Sequence, residues 1–225
     1  GRKILDNVDL QIASGERVAL IGANGSGKST FVKTIMGMQE LPVDGEVFVG
    51  PSVKIGYLPQ IIEFENGDMQ LLDYFKGEVG IPEQKARQIL AAFQFYKEDV
   101  NKRIKNLSGG EKIRVKLAEL LQKRINTLIF DEPTNHIDIP TKEVLEDAIE
   151  DFDGTLIFVS HDRYFINKFA DKTIEFKDGK TTTYFGGYDY YKEQKEKRNT
   201  NPGSVSKKKV KETNNYPQNE DEFVL

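Results

Sequence analysis

A glycine-rich octapeptide near the start of the chain constrains the fold more than any other feature. Residues 22–29 read Gly-Ala-Asn-Gly-Ser-Gly-Lys-Ser and match the spacing G-x-x-x-x-G-K-[ST] at every fixed position. Such a loop turns backbone N–H groups inward around a phosphate, which requires glycines that tolerate positive φ and close approach. A dense apolar run at 17–21 predicts a buried strand before the loop, and 28–36 predict a helix after it. A turn that merely connects strand to helix is the alternative interpretation.

The side chains of this loop suit a nucleotide with its metal ion. Lys28 places a positive charge at the β and γ phosphates, and the Ser29 hydroxyl suits Mg²⁺. The following helix contributes the positive end of its dipole. The predicted nucleotide-binding residues here are Gly22, Ala23, Asn24, Gly25, Ser26, Gly27, Lys28, Ser29 and Thr30.

Alternating strand and helix patterns predict an α/β fold with a mostly parallel central sheet covered on both faces. Strand-like runs lie at 8–12, 46–49 and 53–57, and we expect the fold to include a small antiparallel β subdomain. Residues of about 71–110 read as a helical subdomain, because apolar side chains recur at helical spacing after Pro82. Helices at about 111–123 and around 144–149 alternate with strands at 127–130 and 155–159. We expect one domain through residue 191 and a charged, disordered tail over 192–225.

Composition narrows the class of protein. The 225 residues contain no cysteine, which excludes disulfides and thiol catalysis and fits a cytoplasmic protein. No apolar run approaches the roughly 20 residues of a membrane helix. A net charge of −4 does not suggest a nucleic-acid binder as a whole. The chain starts abruptly without methionine, so we expect a fragment of a longer protein.

Two carboxylates follow the predicted strand at 127–130. Open α/β sheets bind ligands at this end of their strands. Asp131 is placed to hold Mg²⁺, directly or through water, and Glu132 to polarise an attacking water as general base. The alternative is that Asp-Glu-Pro only caps the strand. With a phosphate loop upstream, we prefer the functional interpretation.

Three further segments resemble motifs of ATP-binding-cassette domains. Residues 107–111, Leu-Ser-Gly-Gly-Glu, resemble the signature sequence of that family, Gln60 resembles its Q-loop glutamine and His161 its switch histidine. The resemblance implies a P-loop NTPase fold, ATP and Mg²⁺ as cofactors, and an ATPase that needs a paired cassette. It places Ser108, Gly109 and Gly110 on a nucleotide bound by the second cassette. It also implies that Gln60 and His161 take part in catalysis together with Glu132. The Mg²⁺ ligands that it implies are Ser29, Gln60 and Asp131.

Each of these motifs also has a structural interpretation. The Ser108-x-x-Glu111 spacing is a helix capping box, which is compatible with a second role in binding. A lone glutamine such as Gln60 is usually a surface residue, and a lone histidine such as His161 is more often a packing residue. For His136 we prefer a structural or cross-interface role over metal binding, since no other histidine pattern supports a metal site.

Segments 133–138 (Pro-Thr-Asn-His-Ile-Asp), 160–165 and 184–191 resemble the ABC-F subfamily. That resemblance implies the second cassette of a two-cassette protein that acts on the ribosome and its rRNA, as a translation factor or as an antibiotic-resistance protein. The alternatives are the ATPase motor of a membrane transporter and a cassette that only binds ATP. Retention of Glu132 and His161 argues against the last. No aromatic residue lies between positions 1 and 21, so the family's usual adenine-stacking side chain is absent there.

The tail has basic residues suited to rRNA phosphates. A solubilising tail and an extension of a charged helix are equally compatible with this composition. The basic residues in question are Lys192, Lys195, Lys197, Arg198, Lys207, Lys208, Lys209 and Lys211.

Overall fold

Strands and helices alternate along most of the chain, in the α/β pattern that the sequence predicts. The computed structural model describes residues 4–6, 8–38, 44–200 and 223–224. The described residues group into two units, one drawn from 1–53 and 159–225 and the other from 54–158. Among these residues no helix has the length and apolar character needed to cross a bilayer.

The first unit contains a three-stranded part of a mixed sheet. Its strands are adjacent in the order β2 (Arg17–Gly22), β7 (Lys172–Lys177) and β8 (Lys180–Tyr184). Strand β2 runs parallel to β7, whereas β7 and β8 are antiparallel. Three helices belong to this unit: α1 (Lys28–Ile35), α6 (Arg163–Phe169) and α7 (Tyr188–Thr200). Phe31 of α1 meets Phe176 of β7 edge to face at 5.4 Å, which packs α1 on the strand beside β2.

A small antiparallel sheet also lies in the first unit. Its strands are β1 (Gln11–Ile12), β3 (Phe48–Val49) and β9 (Phe223–Val224), with β9 in the middle. Strands β1 and β3 are shorter than the predicted runs at 8–12 and 46–49. The third predicted run, 53–57, corresponds to β4 (Ile55–Leu58), which belongs to the other unit and pairs in parallel with a strand there.

The second unit holds the strands β4, β5 (Thr127–Asp131) and β6 (Thr155–Val159) in that order, with β4 parallel to β5. All five residues of β5 and of β6 are buried, as their continuous apolar runs predict. Its helices are α2 (Leu71–Val79), α3 (Glu83–Ala92), α4 (Gly109–Gln122) and α5 (Ile139–Glu150), with short 3-10 turns at Lys97–Asn101 and Ile104–Asn106.

Residues 71–107 pack around an apolar cluster of their own together with α4. Phe75, Leu90 and Phe95 are almost fully buried in it. The Tyr74 hydroxyl of α2 donates to Glu119 Oε2 of α4 over 3.2 Å. Burial acts to raise the pKa of the Glu119 carboxyl, but Lys123 and Lys116 beside it lower that pKa overall. The charged form of Glu119 therefore ties α2 to the helix that follows the signature motif.

The predicted boundary of the tail at residue 192 falls within helix α7. Helix α7 continues through Lys192 to Thr200, because its charged side chains find partners at helical spacing. Lys197 pairs with Glu193, Lys192 lies 3.9 Å from Glu196, and Lys195 reaches Glu175 of β7. Residues 223–224 form β9 instead of a disordered end. The remaining predicted tail, with Lys207, Lys208, Lys209 and Lys211, lies outside the described residues.

Glu175 anchors α7 to the sheet and makes this contact sensitive to acid. Its carboxylate accepts hydrogen bonds from Tyr191 Oη at 2.9 Å and Tyr184 Oη at 3.4 Å, and from Lys195. Burial acts to raise the pKa of Glu175, but Lys195 and Tyr191 lower that pKa overall. A lowered folded-state pKa stabilises the fold above the ordinary Glu pKa of about 4.3, and this stabilisation disappears as pH falls through the lower folded pKa.

We therefore expect Glu175→Gln to destabilise the chain at pH 7 by about 1–3 kcal/mol, with a smaller difference from the unchanged chain below pH 4. Urea unfolding of both chains at the two pH values measures the difference. Glu193→Gln, on the exposed side of α7, is the control. An equal loss at both pH values would contradict the role of the Glu175 charge.

Candidate functional site

The phosphate loop connects β2 to α1 in the first unit. Strand β2 ends at Gly22, and α1 begins at Lys28 with Gly27 as its N-cap. Gly27 has φ of +107°, in the left-handed region that a side chain would strain. A Cβ at Gly22 would lie 2.8 Å from Ser26 Oγ and against the Phe176 carbonyl. Both glycines are therefore required by the path of the loop.

The side chains of Lys28 and Ser26 suit the binding of an anion inside this loop. Lys28 is only 5% exposed, and its Nζ donates to the carbonyls of Gly22 at 2.8 Å and Ala23 at 3.0 Å. The ammonium is thus held over the loop. The Ser26 hydroxyl is buried without a hydrogen-bond partner among the described residues. A buried hydroxyl without a partner costs free energy, and a phosphate oxygen would satisfy it. The loop fits a phosphate group on these two observations.

An aliphatic segment that the sequence analysis missed also lies beside the loop. A Cβ built on Gly27 would lie 2.5 Å from Leu5 Cδ2 and 3.3 Å from Ile4 Cγ2. The Asp6 N–H donates to the Gly179 carbonyl at 2.7 Å, which fixes the segment against the β7–β8 turn. No sequence signal marks Ile4 and Leu5, because two aliphatic residues before a strand do not form a motif.

The two predicted carboxylates lie at the carboxyl end of β5 in the second unit. Asp131 is the last residue of the strand and is 8% exposed. Glu132 has φ of +53°, a conformation that is uncommon for a residue with a side chain. Asn135 donates its side-chain amide to Glu132 Oε2, and the Asn135 N–H donates to the Glu132 carbonyl at 3.2 Å. Asn135 therefore fixes both the backbone and the carboxylate of Glu132.

The pKa of Tyr57 on β4 reflects the negative charge at the carboxyl end of β5. Burial, followed by the nearby Asp131 carboxylate, raises the pKa of Tyr57 to about 12. Tyr57 pairs with Ile129 in the parallel register, and residues two apart on a strand share a face, so Asp131 lies on the face of Tyr57. The negative charge of Asp131 thus stands beside β4, where a cation would be stabilised.

Gln60 lies at the same end of the neighbouring strand. Leu58, the last residue of β4, pairs with Phe130 of β5. Gln60 comes two positions after Leu58, and Glu132 comes two positions after Phe130. Gln60 is exposed. The parallel register therefore brings Gln60, Asp131 and Glu132 to the same end of two neighbouring strands.

The signature turn starts α4, elsewhere in the second unit. Ser108 is the N-cap: its Oγ accepts from the Glu111 N–H at 3.2 Å, and its own N–H donates to Glu111 Oε2 at 2.7 Å. The predicted capping box is confirmed. Ser108 and Gly109 are exposed at the positive end of a 14-residue helix, whereas Gly110 is buried.

Removing this cap gives a prediction that separates the structural role of Ser108 from its role in binding. Ser108→Ala is expected to cost about 1 kcal/mol of unfolding free energy, whereas Ser108→Asp keeps a good cap and costs less. Chemical unfolding of the three chains measures this order. Equal stability of all three would contradict the cap. If Ser108 also binds phosphate, ATP turnover falls in both variants, since aspartate repels phosphate.

His161 follows β6 and precedes α6 in the first unit, to which the phosphate loop also belongs. Its side chain is exposed, so the packing interpretation does not hold. The backbone on either side is fixed: the Asp162 N–H donates to Ser160 Oγ at 3.0 Å, and Asp162 caps α6 through the Phe165 N–H. The His161 side chain therefore lies at the surface, between the end of β6 and the start of α6.

The donor set predicted for a metal ion has suitable chemistry. Ser29 offers a hydroxyl, Gln60 a carboxamide oxygen and Asp131 a carboxylate, and Mg²⁺ prefers such hard oxygen ligands. Ser29 is exposed in the first turn of α1, and Asp131 carries its charge at the end of β5. These residues fit Mg²⁺ by ligand type, and their assignment stays a prediction.

Comparison with known proteins gives a family match. The family model described as "ABC transporter" matches residues 5–135. Three curated relatives are the ATP-binding protein YdiF of Bacillus subtilis, 44% identical over 85% of this chain, "ABC transporter F family member 2" of Arabidopsis thaliana, 38% identical over 86%, and "Energy-dependent translational throttle protein EttA" of Escherichia coli, 35% identical over 93%. The matched regions are 30%, 29% and 39% of those proteins, so this chain spans about a third of their length.

Solved structures confirm the fold class. An ATP-binding subunit of an ABC transporter superimposes with a TM-score of 0.71 at 22% identity, covering 86% of this chain and 87% of that one. A dimeric ATP-binding cassette in a post-hydrolysis state with ADP and Pi superimposes with a TM-score of 0.66 at 24% identity, covering 82% and 92%. At these identities the likeness establishes the P-loop ATPase fold.

Proposed function

Because this chain belongs to the ABC transporter family as an ATP-binding cassette with ATPase chemistry, we propose that it is the second cassette of an ABC-F protein that acts on the ribosome. In this proposal the paired cassettes close on ATP in the cytoplasm, hold the ribosome while closed and leave it after hydrolysis. The cassette then serves either as part of a translation factor or as part of a protein that protects the ribosome from antibiotics.

The segment at 132–138 carries the subfamily proposal. Its residues Glu-Pro-Thr-Asn-His-Ile-Asp resemble the ABC-F version of the stretch after the catalytic carboxylates, whereas transport ATPases more often have a serine-alanine version. Two residues of the segment have a structural task. Asn135 fixes Glu132, and Asp138 caps α5 by accepting from the Thr141 N–H at 2.9 Å. A relative named as a translational throttle, 35% identical over 216 residues, supports the ribosome as partner.

The proposed mechanism needs a second cassette. Residues 22–30 bind the phosphates, Lys28 neutralises their charge, and Glu132 orients the attacking water. Ser29, Gln60 and Asp131 would hold Mg²⁺, which would supply further neutralisation of the phosphate charge. Gln60 and His161 contact the γ-phosphate side. Ser108, Gly109 and Gly110 serve the ATP of the second cassette, so one cassette alone hydrolyses ATP poorly.

Contact with rRNA is part of the same proposal, but the lysines of α7 give it little support. Lys195 and Lys197 form ion pairs within the first unit, with Glu175 and Glu193. Paired lysines attract phosphates less strongly than free ones. For residues 192–200 we therefore favour one of the alternatives considered for the tail, namely that they extend a charged helix.

Fractionation of cells that express the tagged full-length protein tests the proposed partner. We expect the protein to sediment with ribosomes and to shift to the soluble fraction after ribonuclease treatment. Recovery in the membrane pellet, insensitive to ribonuclease and released by detergent, would instead support a transporter motor and would contradict the ABC-F proposal. The ATPase assignment does not depend on this outcome.

A further inference from the structure

Arg114 is a buried cation on α4 to which the proposed mechanism gives no role. Its side chain is 8% exposed, and its Nη1 donates to Thr141 Oγ1 of α5 at 3.0 Å. The guanidinium carbon lies 5.1 Å from the centre of the Phe95 ring. Its Nε is buried without a hydrogen-bond partner among the described residues. A buried charge with so few hydrogen bonds costs stability, so a role beyond packing would account for its position.

Thr141 is the point where two functional segments meet. It is fully buried in the first turn of α5, and its N–H donates to Asp138 Oδ1 at 2.9 Å. Asp138 ends the segment at 132–138 that begins with Glu132 and contains Asn135. Thr141 thus connects α5 to the loop that fixes the proposed general base.

The signature turn lies against the same threonine. A Cβ at Gly110 would lie 2.6 Å from Thr141 Oγ1 and 3.4 Å from Asp138 Oδ1. Gly110 and Arg114 are four residues apart on α4, so they share one face of that helix. Only a glycine allows this close approach, and the Arg114 guanidinium then binds the hydroxyl from the next turn.

Charge supports the same connection. The pKa of the Asp138 carboxyl is lowered mainly by its hydrogen bonds with Thr141. The nearby positive charge of Arg114 lowers it further. Asp138 therefore remains ionised as the cap of α5. All these groups belong to the unit at 54–158.

We propose that Arg114 is a positioning residue, which through Thr141 holds the signature turn and the Glu132 loop in one fixed arrangement. The signature turn faces the ATP of the second cassette, whereas Glu132 serves the ATP bound by this chain. The Arg114–Thr141 contact thereby couples the two nucleotide sites. This inference rests on the cassette pairing in the proposed function, but it does not depend on the ribosome as partner.

The test compares Thr141→Val, Thr141→Ser, Arg114→Met and the double variant Arg114→Met/Thr141→Val in the full-length protein. Thr141→Val keeps the side-chain shape but removes the hydroxyl, whereas Thr141→Ser keeps the hydroxyl. We expect Thr141→Val and Arg114→Met each to lower kcat for ATP on the order of tenfold, with KM changed less than about twofold. Thr141→Ser retains kcat, and the double variant is no slower than the slower single variant.

Two further measurements and one control variant decide whether Arg114 positions the two segments or only packs between them. Thermal unfolding gives the folded fraction, to which kcat is normalised, and Arg124→Met on the surface is the matched control. If cooperativity in ATP falls with kcat, the coupling between sites is supported. Normal kcat per folded molecule in Thr141→Val and Arg114→Met would overturn the inference, as would additive effects in the double variant. If the unchanged full-length protein fails to bind ribosomes while these kinetic results are as expected, only the ABC-F proposal is overturned.

Discussion

Replacing Glu132 with glutamine is expected to reduce steady-state ATP hydrolysis by about 100-fold or more, with ATP binding retained. Glu132 follows the buried strand β5 with φ of +53°, and Asn135 holds both its carboxylate and its carbonyl. Such strain is maintained where a side chain must be aimed. Glutamine keeps the shape and the contact with Asn135 but cannot accept a proton from water.

Phosphate release and nucleotide binding, measured on the same preparation, check this expectation. The matched control is Glu143→Gln, an exposed carboxylate on α5. Turnover within about threefold of the unchanged protein would contradict Glu132 as general base, because general-base catalysis contributes at least 100-fold in most enzymes. A parallel loss of ATP binding would point to a binding role for Glu132 instead.

Replacing Lys28 with alanine is expected to weaken ATP binding by about 100-fold, which corresponds to the loss of charge-assisted hydrogen bonds worth roughly 3 kcal/mol. Lys28 is 5% exposed and is held by two loop carbonyls, so its ammonium is positioned before the nucleotide arrives. A phosphate replaces neutral acceptors with anionic ones, and the gain in energy favours binding.

Lys33→Ala is the control, since Lys33 is exposed in the last turn of the same helix. Titration with a fluorescent ATP analogue measures the affinity of both variants. Equal weakening by Lys28→Ala and Lys33→Ala would reduce the effect to general electrostatics. An unchanged affinity in Lys28→Ala would contradict the phosphate loop as the binding site.

The sequence predicted most of the sheet and the helices, because burial leaves a clear periodicity. Strands β5 and β6 are continuous apolar runs and match the predicted strands to within one residue. The capping box at Ser108 and Glu111 marked the start of α4, since it is a local interaction between residues three apart. Local chemistry of this kind is readable without any tertiary contact.

Features that depend on distant partners were missed. The contact of Arg114 with Thr141 joins residues 27 positions apart, and neither residue type signals the other. Lys195 of α7 contacts Glu175, twenty positions earlier, whereas the charged composition alone suggested a tail from residue 192. The short strands β1 and β3 pair with β9 near the end of the chain, which no local pattern indicates. Tertiary partners decided each of these cases.

The most direct test of the central claim uses purified ribosomes and the full-length protein with Glu132→Gln, which binds ATP but does not complete hydrolysis. The mixture is sedimented through sucrose with ATP, with ADP and without nucleotide, beside a second variant that adds Lys28→Ala. We predict co-sedimentation with ribosomes in ATP alone, and its loss when Lys28 is also replaced. A protein that stays in the supernatant in ATP, or pellets equally under all conditions, would contradict an ATP-gated ribosome factor.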